Sequence, residues 1–471
     1  VVCITTMTDA GNGNINVEIS PANTLSNGKI SFKGGAPVIQ FIIGEQDRML
    51  IGKSVRLVGD FVVKLNSTGG ASEFIGAGAA AAAGGSADGE NLHLPSRLGT
   101  YGMIDQLVIK SQATHQVIEH IRHYSRFCAS FVPVTNSLGD STSHLAESSL
   151  IMPNYNVHRN SVTGIQTQRS TRSNAGNSFC MNLPCGLFNG IADIPLSGQW
   201  GLQGLLVEIH LAPDNNVLFD IDGTAAPAFS DAFYELSNVR LVAEMVNPTP
   251  KMLSEYSQGG NTFEYNTISS YFSSVNSSNA IINFNLGMRR VLGVFANFLP
   301  SSSINNLSAD GTATPPIINT GGEVADINQV VFTRGGTRYP LEYNLDTSQK
   351  NDTALSQQDF VDSQLTRNYL NAIRTFSNLN RSGVSSRGTW LSDHSGANQT
   401  LADLKAVENK NCYGVGIAYD NISGDGVDFS QLNWGLSMDL GLTTARPHAV
   451  YVFVHSKNTL VFNSSGLQII Q

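Results

Sequence analysis

Charge is scarce in this chain. Only 14% of its 471 residues are Asp, Glu, Lys or Arg, against roughly 25% in an ordinary soluble domain. The balance is acidic, −9 with histidine neutral, and no run of Lys and Arg occurs. A broad face that grips nucleic acid needs clustered cations to displace phosphate counterions, so that class of function is excluded. A genome near such a chain would be enclosed by it and not coated. No apolar stretch approaches the roughly 18 residues of a membrane span. Cysteine is sparse too. Five residues (Cys3, Cys128, Cys180, Cys185 and Cys412) are too few and too scattered for a disulfide framework. A Cys180–Cys185 bridge and buried thiols in a reducing compartment both remain open, the thiols being the simpler reading. Val1 is neither methionine nor the start of a signal-peptide pattern, which leaves room for a processed or disordered leader.

Signatures of catalysis are also missing. Gly52-Lys53-Ser54 resembles the end of a phosphate-binding loop, but Asp47 stands where the first glycine belongs, and the residues that follow read as a strand where a helix is needed. There is no Gly-x-Ser-x-Gly elbow, Cys-x-x-Cys pair or dinucleotide fingerprint. The densest candidate is His115-Gln-Val-Ile-Glu-His-Ile-Arg-His123. On a helix, His115, Glu119 and His123 would share one face with His120 near by, a donor set able to hold zinc. A His-rich polar face on an amphipathic helix is the plainer reading. Asp220-Ile-Asp222 and Asp425-Gly-Val-Asp428 lack the remaining ligands of a calcium loop and read as acidic turns. Neither a catalytic residue nor a cofactor is expected.

What the chain has in quantity is turn chemistry, including 45 glycines, and a hidden repeat. Ser54–Leu65 alternates apolar and other residues as a half-buried strand does. Arg56, Gly59, Phe61 and Leu65 recur as Arg290, Gly293, Phe295 and Leu299, each 234 residues later (293 − 59). Ile104–Ile109 is echoed by Ile327–Phe332, and Trp200-Gly-Leu202 by Trp434-Gly-Leu436, in the same order. The paired tryptophans fit core positions better than a sugar platform. Between the last two echoes each half carries a helical spacing: Val117, Ile121, Tyr124 and Cys128 in the first, Val361, Leu365, Tyr369, Ile373 and Phe376 in the second. Ser356 with Asp359 gives the second helix a capping-box-like start.

The chain therefore reads as a duplicated all-β domain: two tandem antiparallel jelly rolls with one helix inserted in each. Strands are expected at 15–19, 37–43, 54–65, 103–110 and 205–211 in the first half. In the second half they are expected at 236–246, 281–286, 289–299, 328–333, 413–419 and 449–455. The turn-like Asp220–Pro227 places the boundary between units 1–228 and 229–471. Long connections fall at 67–92, 129–178, 301–326 and 377–411. Eight Asn-x-Ser/Thr sequons, at Asn66, Asn276, Asn306, Asn351, Asn380, Asn398, Asn421 and Asn463, are what so Asn- and Ser-rich a chain gives by chance.

Several stretches resemble the double jelly-roll major capsid proteins of virophages, polinton-like viruses and their adenovirus-like relatives. They are Tyr101–Ser111, Tyr234–Glu244, Gly335–Tyr343, Gly426–Ser430 and Tyr451–His455. The resemblance runs from about residue 50 to the end. It implies a structural protein without catalytic residues, made in the infected cell of a small double-stranded DNA virus and located in the virion capsid. It also implies a homotrimer of pseudo-hexagonal outline, packed by trimer–trimer contacts into an icosahedral shell with penton and minor capsid proteins as further partners. Two other classes compete. A secreted glycan-binding β-sandwich would be a monomer or small oligomer, and a jelly-roll hydrolase would need converging carboxylates or a metal.

Overall fold

The structure is a computed structural model. It describes residues 4–9, 14–23, 28–35, 37–66, 72–74, 92–93, 99–135, 177–190, 193–217, 219–220, 232–257, 262–301, 304, 322–323, 327–334, 337–338, 345–346, 372, 411–412, 415–419, 426–430, 436–442, 447–463 and 466–470.

In the first half the strands are β1 (Ile4–Asp9), β2 (Ile15–Ile19), β3 (Val38–Ile43), β4 (Arg56–Asn66), β5 (Ile104–Ser111) and β6 (Val117–Arg122). Helix α1 (Tyr124–Thr135) follows, then β7 (Asn177–Asn182), β8 (Leu205–Leu211) and β9 (Ala232–Val246). A short helix α2 (Pro250–Ser257) leads into the second half. Its strands are β10 (Thr262–Val275), β11 (Asn279–Phe284), β12 (Val291–Pro300), β13 (Ile327–Arg334) and β14 (Thr337–Arg338). They continue as β15 (Val415–Ala418), β16 (Leu436–Leu442), β17 (His448–Asn463) and β18 (Gly466–Ile470).

The two halves have one topology. With β2 to β9 counted as first to eighth, one sheet runs β2–β9–β4–β7, the order 1-8-3-6, and its partner runs β3–β8–β5–β6, the order 2-7-4-5. With β10 to β17 counted likewise, the sheets are β10–β17–β12–β15 and β11–β16–β13–β14, again 1-8-3-6 and 2-7-4-5. Among the described residues all pairings are antiparallel. Two sheets whose central strands run in these orders are a jelly roll, so the chain holds two in tandem. The sequence echoes fall on equivalent strands: β4 with β12, β5 with β13, and the approach to β8 with that to β16.

Inward side chains follow the period-two rule where one face is buried. In β3, Ile39, Phe41 and Ile43 are buried and Val38, Gln40 and Ile42 less so. Strand β8 is buried on nearly every residue. Its one carboxylate, Glu208, holds Lys110 of β5 at 2.6 Å and accepts a bond from Gln40 Nε2 of β3 at 2.9 Å, which fixes three neighbouring strands in register.

Two expectations are corrected. The boundary at 228/229 fails because β9 belongs to the first jelly roll: Phe233–Ser237 and Arg240–Val242 pair with β4, and Leu241–Met245 pair with β2. Tyr234 also donates from its hydroxyl to the Ala212 carbonyl at 2.6 Å and stacks on Phe61. The first half thus closes at Val246. The helix expected over Val117–Cys128 starts later. Val117–Arg122 is a strand paired with β5, and the helix begins at Tyr124. His123 sits between them at φ 54°, a left-handed residue through which no right-handed helix passes. Helix α1 also carries ordered structure to residue 135, inside the span expected to be a loop from 129. Of the second expected helix, 356–376, only Ala372 is described; it is helical and buried.

Candidate functional site: the junction between the jelly rolls

With Glu119 on a strand, His115, Glu119 and His123 do not share the helix face that made them zinc candidates. Successive strand residues point to opposite sides and rise about 3.3 Å each, so His115 and His123 are far apart. His115 is exposed in a turn at φ 55°. His120 Nε2 lies 3.0 Å from Gln106 Oε1. His123 packs against the rings of Tyr451 and Phe272, at 5.0 and 5.5 Å between centroids. Among the described residues no three His, Cys, Asp or Glu side chains gather as a metal site would require.

Glu119 has another part. The bulge between Val117 and Glu119 turns both Ile118 and Glu119 inward. Its carboxylate is fully buried and receives three backbone N–H bonds, each 2.9 Å long. Gly186 and Ile268 donate to Oε1 and Leu187 to Oε2. The Cys185 thiol adds a further side-chain bond. Gly186 and Leu187 lie in the turn after β7 of the first jelly roll; Ile268 is in β10 of the second. One carboxylate therefore joins the two units. Burial pushes its pKa up to about 7, against the opposing pull of the three N–H donors and the thiol.

Around it the two jelly rolls touch closely. Gly186 lies so near β10 that a Cβ there would overlap the Asn266 carbonyl and the Thr267 Cα. The Tyr265 hydroxyl donates to the Ile118 carbonyl at 2.9 Å. Helix α1 supplies the apolar contact. Tyr124, Phe127 and Cys128 are buried at three-and-four spacing, and the Phe127 ring meets Phe295 and Phe453 of the second unit at 6.2 and 5.6 Å. Arg126, also buried, sets its guanidinium 5.8 Å from the Tyr451 ring centroid. A buried guanidinium over an aromatic face keeps a favourable partner for its charge.

The remaining sequence candidates are scattered. Lys53 and Ser54 form a short 3-10 turn that runs straight into β4, with no helix to hold phosphate. Asp220 is in a two-residue strand paired with Leu92–His93, and Asp428 Oδ1 accepts from the Ser430 N–H, as in an acidic turn. Asp222, Asp425 and Trp434 lie outside the described residues, and Trp200 is half-buried in the turn before β8. Cys128, Cys180 and Cys185 are in no disulfide, so the open Cys180–Cys185 bridge is not formed. No helix is long and apolar enough to cross a membrane among the described residues.

No family model matches the sequence, and no curated protein matches it. Solved structures do. The PBCV-1 protein VP54, fitted into a cryo-EM reconstruction of the virophage Sputnik, aligns over 99% of this chain and 99% of its own. The TM-score is 0.55 and the identity 10%. The chain is a double jelly roll. A quasi-atomic model of the PBCV-1 virus capsid matches this double jelly roll with TM-score 0.54 and 11% identity, again over 99% of both chains. The cryo-EM structure of the Sputnik virophage matches with TM-score 0.52 and 10% identity, over 99% of this chain and 90% of that one. At about one residue in ten identical, what the double jelly roll shares with these proteins is its fold.

Proposed function

We propose that this protein is the major capsid protein of a small double-stranded DNA virus, located in the shell of the virion. The observation that carries the reading is the end-to-end match of a tandem jelly-roll chain to capsid structures of PBCV-1 and Sputnik. The geometry of the chain gives it a physical sense. Two units of one topology, locked at a buried junction, are two near-equivalent building blocks on one polypeptide. Three chains about a threefold axis then present six similar units and can meet neighbours in a hexagonal lattice. In that role function resides in interfaces, and the junction at Glu119 and α1 fixes the angle at which each chain presents its two blocks. Penton and minor capsid proteins are the further partners of this reading, and it assigns no chemistry to any side chain.

Light scattering on the purified native protein tests it. A species near three times the chain mass of 50.4 kDa, unchanged on dilution, is expected. A monomer at every concentration would remove the reading and favour a glycan-binding sandwich.

A further inference from the structure

One histidine of the stretch 115–123 lies at the junction itself. His123 is the single residue between β6 and α1, and its φ of 54° turns the chain from strand to helix. Its carbonyl accepts the N–H bonds of Arg126 and Phe127 at 2.9 and 3.0 Å, so it stands at the N-terminus of α1. Its ring reaches the second unit, where it meets Tyr451 of β17 and Phe272 of β10. The elbow of the first jelly roll is therefore seated on the second through an imidazole.

The groups packed around that ring decide whether it can carry a proton. Arg122 precedes it on β6, and Arg126 follows in the first turn of α1 with its guanidinium over the same Tyr451 ring. That turn has no acidic residue, and the positive end of a helix dipole disfavours a further cation. An aromatic face favours a cation near by, and at Tyr451 Arg126 already supplies it. Strand β10 brings no charge, since none occurs from Tyr265 to Val275. Asp105 of β5 is the opposing carboxylate. Burial, helped by Arg126 and Arg122, outweighs it and holds the imidazole below its ordinary pKa of 6.5.

We propose that His123 is an acid-sensitive latch between the two jelly rolls: neutral, its ring holds the β6–α1 elbow against β10 and β17, and protonated, it loosens that contact. A proton there adds a third cation beside Arg122 and Arg126, at a helix N-terminus and against the second unit. A histidine held neutral by the fold contributes its stability above pH 6.5 and loses it as pH falls. In the capsid reading, the angle between the two blocks of each chain then depends on acidity. The test below reads the single chain and stands apart from that reading.

The readout is the rate at which Cys128, buried on α1, reacts with a dithiodipyridine in the native protein between about pH 7.5 and 5, followed by peptide mass. Comparing proteins at one pH cancels the reagent's own pH dependence. Relative to His123→Phe, which keeps a ring and cannot titrate, wild type should react faster as pH falls below 6.5, by up to about tenfold per pH unit. His123→Asn, whose side chain tolerates the left-handed backbone, serves if the Phe variant fails to fold. It should react faster than wild type at neutral pH, with the gap closing in acid. His115→Asn, in the exposed turn, should keep the wild-type response. Far-UV circular dichroism should stay constant across the range. A wild-type to His123-variant ratio that does not change with pH overturns the inference, and so does a rate that rises only as the dichroism is lost.

Discussion

Gly186→Val is expected to part the two jelly rolls. The atoms a Cβ would overlap, the Asn266 carbonyl and the Thr267 Cα, are backbone of a paired strand and cannot rotate away as a side chain does. Gly186 is needed for close approach, its φ not being left-handed. Relief requires moving β10 off the turn that follows β7, which also stretches the bonds from Gly186 and Ile268 to Glu119. Overpacking in a core costs about 1–3 kcal/mol where side chains can yield. Here they cannot, so the loss should exceed about 4 kcal/mol, among the larger effects of single substitutions. Hydrogen exchange along 262–275 should rise sharply. Gly190→Ala is the control: it lies close by, its Cβ would come no nearer than 3.4 Å to the Leu187 carbonyl, and its exchange should match wild type.

Glu119→Ala should cost about 3–5 kcal/mol, because it strands three buried N–H groups, each worth about 1–3 kcal/mol when unpaired. Glu119→Gln should cost less. Its one carbonyl oxygen can keep Gly186 and Ile268, but its amide then faces the Leu187 donor. The pH dependence separates these effects. Glu119 has its folded pKa raised from 4.5 to about 7, so its stabilising contribution is full below about 4.5 and is lost as pH rises through 7. His455, wholly buried in β17, has its pKa lowered from 6.5 to about 3 by burial, so it acts the other way. Its contribution is present above 6.5 and is lost as pH falls. Between pH 6.5 and 4.5 the two slopes oppose, each at most about 1.4 kcal/mol per pH unit. Removing Glu119 exposes the histidine. From pH 8 to 4.5, Glu119→Gln should lose about 3 kcal/mol relative to wild type in urea midpoints scaled by a common slope. Parallel curves for the two proteins would show that Glu119 does not titrate in this range.

Much of this architecture is legible in the chain because burial on one face imposes alternation. Strands β2, β3, β4, β5, β8, β12 and β13 lie within a residue or two of where alternation puts them. The repeat is legible for the same reason: equivalent strands face equivalent cores. Strand β10 is not, since Thr262–Val275 is rich in Ser and Thr and its alternation of buried and exposed residues breaks at Thr267 and Ile268. Val117–Arg122 misleads because Val117, Ile121, Tyr124 and Cys128 keep helical spacing across what is in fact a strand, a left-handed residue and a helix. The boundary misleads because β9 returns to pair with β2, more than two hundred residues earlier (241 − 19 = 222), and local pattern carries no sign of that. Glu119 stands out in the sequence, yet its role does not: the donors that define it come 67, 68 and 149 residues later.

The most direct measurement is electron microscopy of the purified native protein, with particle images averaged and viewed down their symmetry axis. Threefold particles with a six-lobed, near-hexagonal rim, two lobes for each chain, are expected. Isolated two-lobed particles, or rings in which each chain supplies a single lobe, would contradict the capsid reading.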